Sequence, residues 1–353
     1  MSCSPVTGRP HPPNLPCVGE LYDLQRGACH CPYCGTVYLE ARDEKALLVG
    51  DFTVKCPKCG AEPSILDKIC IRLNYKTFLM RKITSYYRNI IAKYAEDYFD
   101  YVVFLNPETI TVKLLEELRA RQKRAHFVLY MWDSLENKPH TEELLPCFDT
   151  KLSFNKKDCE AYGLKFRPLF FIDEYDSDKN GMDSYDCNID IGFIGTIHSD
   201  RYRILRDVGL WAKAQGLNIG YYMYFPAKIL YYKYKLKNLG KCKVSKKDFH
   251  FSPLNSKQVQ EYLGRCKTII DIQHPKQIGL TMRAIEMLGM RKKLITTNAD
   301  IKNYDFYNED NICVIDRNHV MIDKEFLSSD YNHIIYVYRK NYTMDAFVDD
   351  LLD

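Results

Sequence analysis

The chain has 353 residues, of which 46% are hydrophobic and 27% charged, and its formal net charge is +4. That length suits two domains of ordinary size, the composition excludes a disordered chain, and so small a net charge gives no bulk argument for nucleic acid as a partner. No apolar run approaches the ~20 residues of a membrane span, and the opening MSCSPVTGRPHPPNLP lacks the apolar core of a signal peptide, so the sequence predicts a cytoplasmic protein whose fourteen cysteines are mostly reduced.

In chain order, residues 1–20 are Pro-rich and read as an irregular tail. Residues 28–62 then carry Cys31-x2-Cys34, an interval of twenty-one residues, and Cys56-x2-Cys59. Gly35 and Gly60 follow the two pairs and permit the tight turn that aims backbone amides at thiolate sulfur. The interval reads as a hairpin, TVYLEA and ALLVGDFTVK about a charged turn. Two such knuckles on a hairpin make a four-thiolate zinc ribbon, with Cys31, Cys34, Cys56 and Cys59 as ligands. Four thiolates leave no open coordination position, so the zinc is expected to be structural. Cys29 and His30 adjoin the first knuckle, but the regular spacing favours the four named. The segment lacks a dense basic stripe, which argues against nucleic acid.

From Ser64 onward helices and strands alternate. A helix is expected over 75–98, a strand at 101–106, a helix at 110–123 and a strand at 125–133. A short helix near 141–147, a strand at 149–155, a helix at 156–163 and KFRPLFF at 165–171 come after these. Beyond a polar linker the alternation restarts. A strand runs over 188–197, a helix over 199–215, a strand over 218–225, a helix over 256–266 and a strand over 268–274. Strands at 294–297 and 311–316 come next, and a long amphipathic helix closes the chain. Strands separated by helices imply doubly wound parallel sheets. The expected fold is therefore α/β, with two Rossmann-like domains facing a cleft and a small ribbon before them. The divisions are 1–62 for the tail and ribbon and 63–172 for the first domain. The second domain covers 188–335, and residues 336–353 form a helix that packs back on the first.

Ligands of such sheets bind beyond the C-terminal ends of the strands, and three loops there carry suitable chemistry. In GFIGTIHSDRY, 192–202, Gly192 and Gly195 end a strand and Thr196, His198, Ser199 and Arg201 open a helix. Amides and a guanidinium together suit an anion, although a Ser-capped turn would look the same. In HPKQIGLTMR, 274–283, Pro275 and Gly279 shape a turn whose Leu280 and Thr281 amides would meet a phosphate. The helix after it is apolar except for Arg283 and Glu286. At about 100° per residue from Gly279 these fall near about 40° and about −20°, on one narrow face. They form an internal ion pair, or they hold a ligand that needs a cation, a carboxylate and free amides together. In YMWDSLEN, 130–137, Trp132 would stack on a sugar and Asp133 would bond its hydroxyls or take a proton. Capping of the next turn by Asp133 is an equal reading.

The two-domain alternation, the G-L-T-x-R-x-x-E helix, the K-K-L-I-T-T-N strand and the FIG loop resemble bacterial GT-B glycosyltransferases of capsule and lipopolysaccharide biosynthesis. The resemblance covers about residues 65–353. It implies a nucleotide-sugar donor on the second domain, a surface glycan or lipid-linked acceptor on the first, and chemistry without a catalytic metal. By position, Glu286 would bond the donor ribose, Gly279, Leu280 and Thr281 would meet the diphosphate or sugar, and Arg201 and Arg283 would offset phosphate charge. Gly195, Thr196, Ser199 and His274 complete the donor set, while Trp132 and Asp133 belong to the acceptor, with Asp133 as base. Retaining members often carry a Glu eight residues before the ribose Glu, where this chain has Ile278 beside Gln277. Their first strand and glycine-rich loop should precede residue 65, where this chain has the ribbon, with ALLVG at 46–50 as a candidate remnant.

Residues 221–247 hold eight lysines, seven aromatics and no acid. They read as a solvated face or as a peripheral contact with the inner membrane surface, ahead of nucleic acid. Besides the enzyme, the sequence admits a non-catalytic zinc-ribbon α/β protein that binds a nucleotide or nucleotide sugar.

Overall fold

The computed structural model describes residues 39–41, 44–52, 64–72, 76–180, 186–239, 244–275 and 277–353. Cys31, Cys34, Cys56 and Cys59, and with them the expected ribbon, lie outside the described residues. The chain divides into two compact units, residues 1–167 with 348–353, and residues 168–347.

The first unit holds strands β1 (Leu39–Ala41), β2 (Glu44–Val49), β3 (Tyr101–Leu105), β4 (His126–Met131), β5 (Thr150–Ser153) and β6 (Lys165–Phe166), with helices α1 (Ile65–Arg72), α2 (Met80–Lys93), α3 (Val112–Arg121) and α4 (Lys156–Tyr162). The strands lie in sequence order, β1 antiparallel at the edge and β2 to β6 parallel. The run ALLV is thus an inner strand of this sheet, between β1 and β3. Ala46, Leu47, Leu48 and Val49 are all buried, which is why they read as a continuous apolar run rather than an alternating one. Tyr86 and Tyr87 of α2 pack with Phe52, Phe99, Phe104 and Phe127 beneath the sheet. Asp51, just past β2, accepts from the Glu108 and Thr109 amides at 2.7 Å each, and so anchors the loop after β3.

The second unit begins with helix α5 (Ser177–Asn180) and continues through β7 (Ile189–Thr196), α6 (Arg201–Ala214), β8 (Ile219–Tyr224), α7 (Lys228–Lys237), β9 (Phe249–His250) and α8 (Ser256–Gly264). It then runs through β10 (Cys266–Asp271), α9 (Met282–Met290), β11 (Lys293–Thr296), β12 (Ile312–Val314), α10 (Lys324–Ser328) and α11 (Tyr336–Arg339). All pairings are parallel, in the order β12-β11-β10-β7-β8-β9. The doubly wound α/β expectation therefore holds for this sheet. Each strand overlaps a range read from sequence except the short β9, which has no counterpart there. Gly192 is not a loop residue. It sits inside β7, where an added Cβ would lie 2.3 Å from the Cys266 sulfur on β10.

The single terminal helix expected from sequence is broken. Short turns at His333–Ile335 and Lys340–Tyr342 flank α11, and α12 (Met344–Leu352) starts anew. The break is a backbone requirement. The Phe171 amide donates to the Tyr342 carbonyl at 2.8 Å, Phe171 and Thr343 form a β-bridge, and the Thr343 hydroxyl accepts from the Ala346 amide to open α12. A helix cannot run through a residue paired as a strand. Asp350, in the closing stretch that belongs to the first unit, pairs with Arg167 at 2.7 Å.

Gly192→Ala is expected to lower stability by about 1–3 kcal/mol, the cost of overpacking a close-packed interior. Chemical denaturation should show this loss, and Cys266→Ala in the same chain should restore part of it. Full additivity of the two substitutions would contradict the Gly192–Cys266 contact.

Candidate functional site

From β7 the chain winds outward to β8 and β9, then returns to place β10 on the other side of β7. The loops leaving β7 and β10 therefore part in opposite directions, and a crevice opens beyond the C-terminal ends of these two strands. This reversal of strand order is where open parallel sheets bind ligands. The first sheet, ordered by sequence, has no such reversal among its described strands.

On the β7 side, the strand runs through Gly195 to Thr196. A Cβ on Gly195 would sit 3.2 Å from the Phe193 ring, the tight contact there, and 3.7 Å from a guanidinium nitrogen of Arg201, an ordinary contact. Arg201 opens α6 and donates from Nε to the Ile272 carbonyl (2.6 Å) and from Nη1 to the Thr196 carbonyl (2.8 Å). It thus ties the end of β7 to the end of β10, in addition to placing positive charge at the crevice. Ser199 does not cap the helix. It adopts a left-handed backbone, φ 49°, and its hydroxyl meets His198 Nδ1 at 3.2 Å. Asp200 holds the N-cap position without capping through its side chain, which instead pairs with Arg317 at 2.9 Å. The N-terminus of α6 is left without a side-chain cap, and orphan amides there favour an anion.

On the β10 side, Thr281 is the N-cap of α9. Its hydroxyl accepts from the Ala284 amide at 3.2 Å and donates to Asp271 at 2.8 Å. Asp271 is fully buried, and burial pushes its carboxyl up, opposed by the Thr281 hydrogen bond and by Arg201, Arg283 and Arg317. Asn298, just beyond β11, donates to the carbonyls of Ile278 (2.9 Å) and Gly279 (3.3 Å). These bonds draw the loop carbonyls toward β11, and the first-turn amides of Met282 and Arg283 have no intrahelical acceptor by position. Leu280 is buried at 3%, so its side chain anchors the loop and only its backbone can face a ligand.

Arg283 Nη1 and Glu286 Oε2 approach to 2.6 Å, the internal ion pair that the sequence allowed. The angles leave neither atom in an aligned hydrogen bond, and both are buried. The charges compensate each other, while the hydrogen-bonding capacity of these two facing atoms stays unspent. Burial is the main influence on the Glu286 carboxyl and pushes it up, against the pull of Arg283. Met282 at the start of α9 is exposed, and the other apolar residues of the helix are buried, as its sequence requires: Ala284, Ile285, Met287, Leu288, Gly289 and Met290. Gly289 is within the helix rather than a turn. Its missing Cβ would meet the Tyr175 carbonyl oxygen at 2.6 Å, and Arg339 donates to its carbonyl at 2.8 Å. The helix ends at Arg291, which takes the left-handed conformation.

Sequence reading missed Arg317. It lies just past β12, and its guanidinium reaches the Gln273 carbonyl at 2.6 Å as well as Asp200. Its only signal was a basic residue just past a strand end, and the sequence could not show that this edge strand's loop returns to the middle of the sheet. His274 lies exposed, its ring 5.6 Å from that of His198. A pocket of about 580 Å³ lies on the α7 side of the same loop, lined by Thr196, His198, Ser199, Arg203, Lys233 and Lys237 among others. In the first unit, Trp132 is 39% exposed at the end of β4. Asp133 accepts from the Ser134 amide and from Asn137 Nδ2, both at 2.9 Å, so it does cap its own turn.

No protein family model matches the chain, and no curated protein does. Among solved structures, the chain is similar to an α,α-trehalose 6-phosphate synthase from Burkholderia multivorans at 10% identity and TM-score 0.47, covering 80% of this chain and 78% of that one. It is also similar to HepE of Anabaena in complex with UDP and glucose, at 11% identity and TM-score 0.48, covering 75% and 79%. A third is the catalytic domain of starch synthase IV from Arabidopsis thaliana bound to ADP and acarbose, at 7% identity and TM-score 0.41, covering 73% and 75%. What this site does is decided by its own residues.

Burial, then the nearby charges of Arg201 and His274, holds His198 down to about 4 from 6.5. The unfolded chain takes up a proton below pH 6.5 that the folded chain refuses until about 4. Stability is thus intact above the upper value and is lost as pH falls between the two. His198→Gln should flatten that loss by roughly 1–2 kcal/mol, given the partial solvent contact of the ring. Denaturation curves at several pH values check this, and an unchanged acid slope would contradict it.

Proposed function

We propose that the chain is a GT-B glycosyltransferase that takes a nucleotide sugar at the crevice between the ends of β7 and β10 and transfers the sugar to a surface glycan or lipid-linked acceptor, as in capsule or lipopolysaccharide biosynthesis. One observation carries this reading. Arg283 and Glu286 are half-buried at a strand-order reversal, compensate each other in charge, and keep their buried facing atoms out of aligned hydrogen bonds. Buried polar groups left in that state cost stability unless a ligand satisfies them. A ribose diol satisfies the carboxylate, and a diphosphate suits Arg283, Arg201, Arg317 and the amides opening α6 and α9.

In this reading Glu286 bonds the ribose hydroxyls. Gly195, Thr196, Ser199 and His274 line the donor, and Gly279, Leu280 and Thr281 meet its diphosphate or sugar through their backbone. An acceptor hydroxyl oxygen bonds to the anomeric carbon as the bond from that carbon to the diphosphate breaks. The hydroxyl proton passes to Asp133, beside which Trp132 offers a stacking face, and the negative charge leaves on the nucleotide. Positioning and electrostatic stabilisation of the leaving group supply the rate, with no catalytic metal. Cys31, Cys34, Cys56 and Cys59 hold a structural zinc.

The capping bonds of Asp133 favour a second reading, in which the protein binds a nucleotide or nucleotide sugar without turnover. The two part at Asp133→Asn. A thermal-shift screen of UDP-, GDP-, CMP- and dTDP-sugars should find one donor that raises the Tm, since a ligand at a hundred times its Kd adds about 2.7 kcal/mol. Glu286→Gln should weaken that donor by ~10-fold or more, the worth of a hydrogen bond to a charged group. Asp133→Asn should keep the shift and abolish transfer. No shift with any donor sinks both readings, and full transfer by the Asn variant removes Asp133 as base. Metal analysis of the purified chain should give about one zinc per chain, lost in Cys31→Ser/Cys34→Ser. A metal-free, folded wild-type chain would exclude the ribbon.

A further inference from the structure

We propose that α7 docks this protein on an anionic lipid surface, with its outer stripe inserted at the depth of the headgroups. This inference goes beyond the transfer reading and stands independently of it.

The inner face of α7 is fixed. Tyr231 is 1% exposed and packs its ring against Phe225, Phe249 and Phe251, and the Tyr234 hydroxyl donates to the Ser199 carbonyl at 3.1 Å. At about 100° per residue, the direction opposite these residues is held by Ile229, Tyr232 and Leu236. They are 71%, 53% and 73% exposed, and Leu239, just past the helix, is 73% exposed. An apolar stripe at i, i+3 and i+7 ordinarily faces a core. Here it is the outermost edge of a helix whose other side is already buried.

Lysines border this stripe on both sides, Lys228 and Lys235 along one flank and Lys233 and Lys237 along the other. None of the four forms an ion pair with another described residue. No acidic residue occurs anywhere in 221–247. Apolar side chains at the apex, a tyrosine beside them and lysines that can reach back to phosphate make the arrangement of a helix lying in a bilayer interface. The charge decides the occupant. A protein partner would need an acidic rim on both sides of an apolar groove, whereas an anionic bilayer offers negative charge all round an apolar depth. Each lysine near such a surface raises partitioning by roughly fivefold. Lys233 and Lys237 also line the pocket beside the β7 loop, so docking through α7 brings that pocket to the lipid headgroups.

The test is sedimentation of the full chain with vesicles of phosphatidylcholine alone and with vesicles containing phosphatidylserine, at physiological salt. Binding to the anionic vesicles is expected, at least tenfold stronger than to the neutral ones. Leu236→Glu and Ile229→Glu should each reduce it by tenfold or more. Lys228→Gln/Lys235→Gln should reduce it severalfold and lessen its salt dependence. All four side chains project from the surface, so thermal melts should match wild type and separate lost docking from lost folding. No sedimentation with anionic vesicles, equal binding to neutral ones, or unchanged binding by folded Leu236→Glu would overturn the proposal. None of these results touches the donor shift, which tests the transfer reading separately.

Discussion

Arg201 does for the second unit what no hydrogen bond of the sheet can do. Past the last ladder bond, β7 and β10 have no reason to stay together, because their chains leave toward opposite sides. The Arg201 guanidinium bridges them, bonded to the Thr196 carbonyl on one strand and the Ile272 carbonyl at the end of the other. Burial of that cation is unfavourable and pulls its pKa down, and Asp271 and Asp200 offset part of the penalty. Arg317 repeats the device one layer out, between Gln273 and Asp200. The crevice is thus held open at a fixed width by two guanidiniums that are also its cationic walls. Structure and binding chemistry draw on the same side chains, so substitution of either arginine would disturb both.

The opposite wall depends on close approach rather than charge. Helix α9 brings Arg283 and Glu286 to the crevice while its remaining residues, exposed Met282 apart, are buried. Gly289 admits the Tyr175 backbone and the Phe171 ring, and Arg339 secures that contact from behind through Gly289, Asp176 and Asp178. At the front, Thr281 joins the helix N-terminus to buried Asp271, and Asn298 retains the loop carbonyls. A helix fixed this firmly pre-organises its first-turn amides, which is where a site for an anion gains most.

Around this frame the outer surface has its own chemistry. The lysines of α7 are free of carboxylate partners among the described residues, whereas Lys267 pairs with Asp190. What marks that face is the combination on one helix of these lysines with the exposed Ile229, Tyr232 and Leu236.

Much of the second sheet could be read from sequence. Buried parallel strands must be apolar on both faces, and IDIGFIGT, CKTIID and KLIT are recognisable for that reason. The Arg283–Glu286 pair was legible too, since helical spacing alone puts residues three apart on one face. Sequence did not distinguish a glycine needed for a turn from one needed for packing. Gly192, read as ending a strand at the head of a loop, faces Cys266 across a strand pair, and Gly289 within α9 meets Phe171 and Tyr175. It also read a single helix through Thr343, because periodicity cannot reveal that Phe171, distant in the chain, claims that backbone. Local pattern determined which segments are strands and helices, since propensity and burial act over a few residues. Only the tertiary structure decided that β10 returns to lie beside β7, and with it which arginines meet and where the crevice opens, because that choice rests on contacts between residues far apart in sequence.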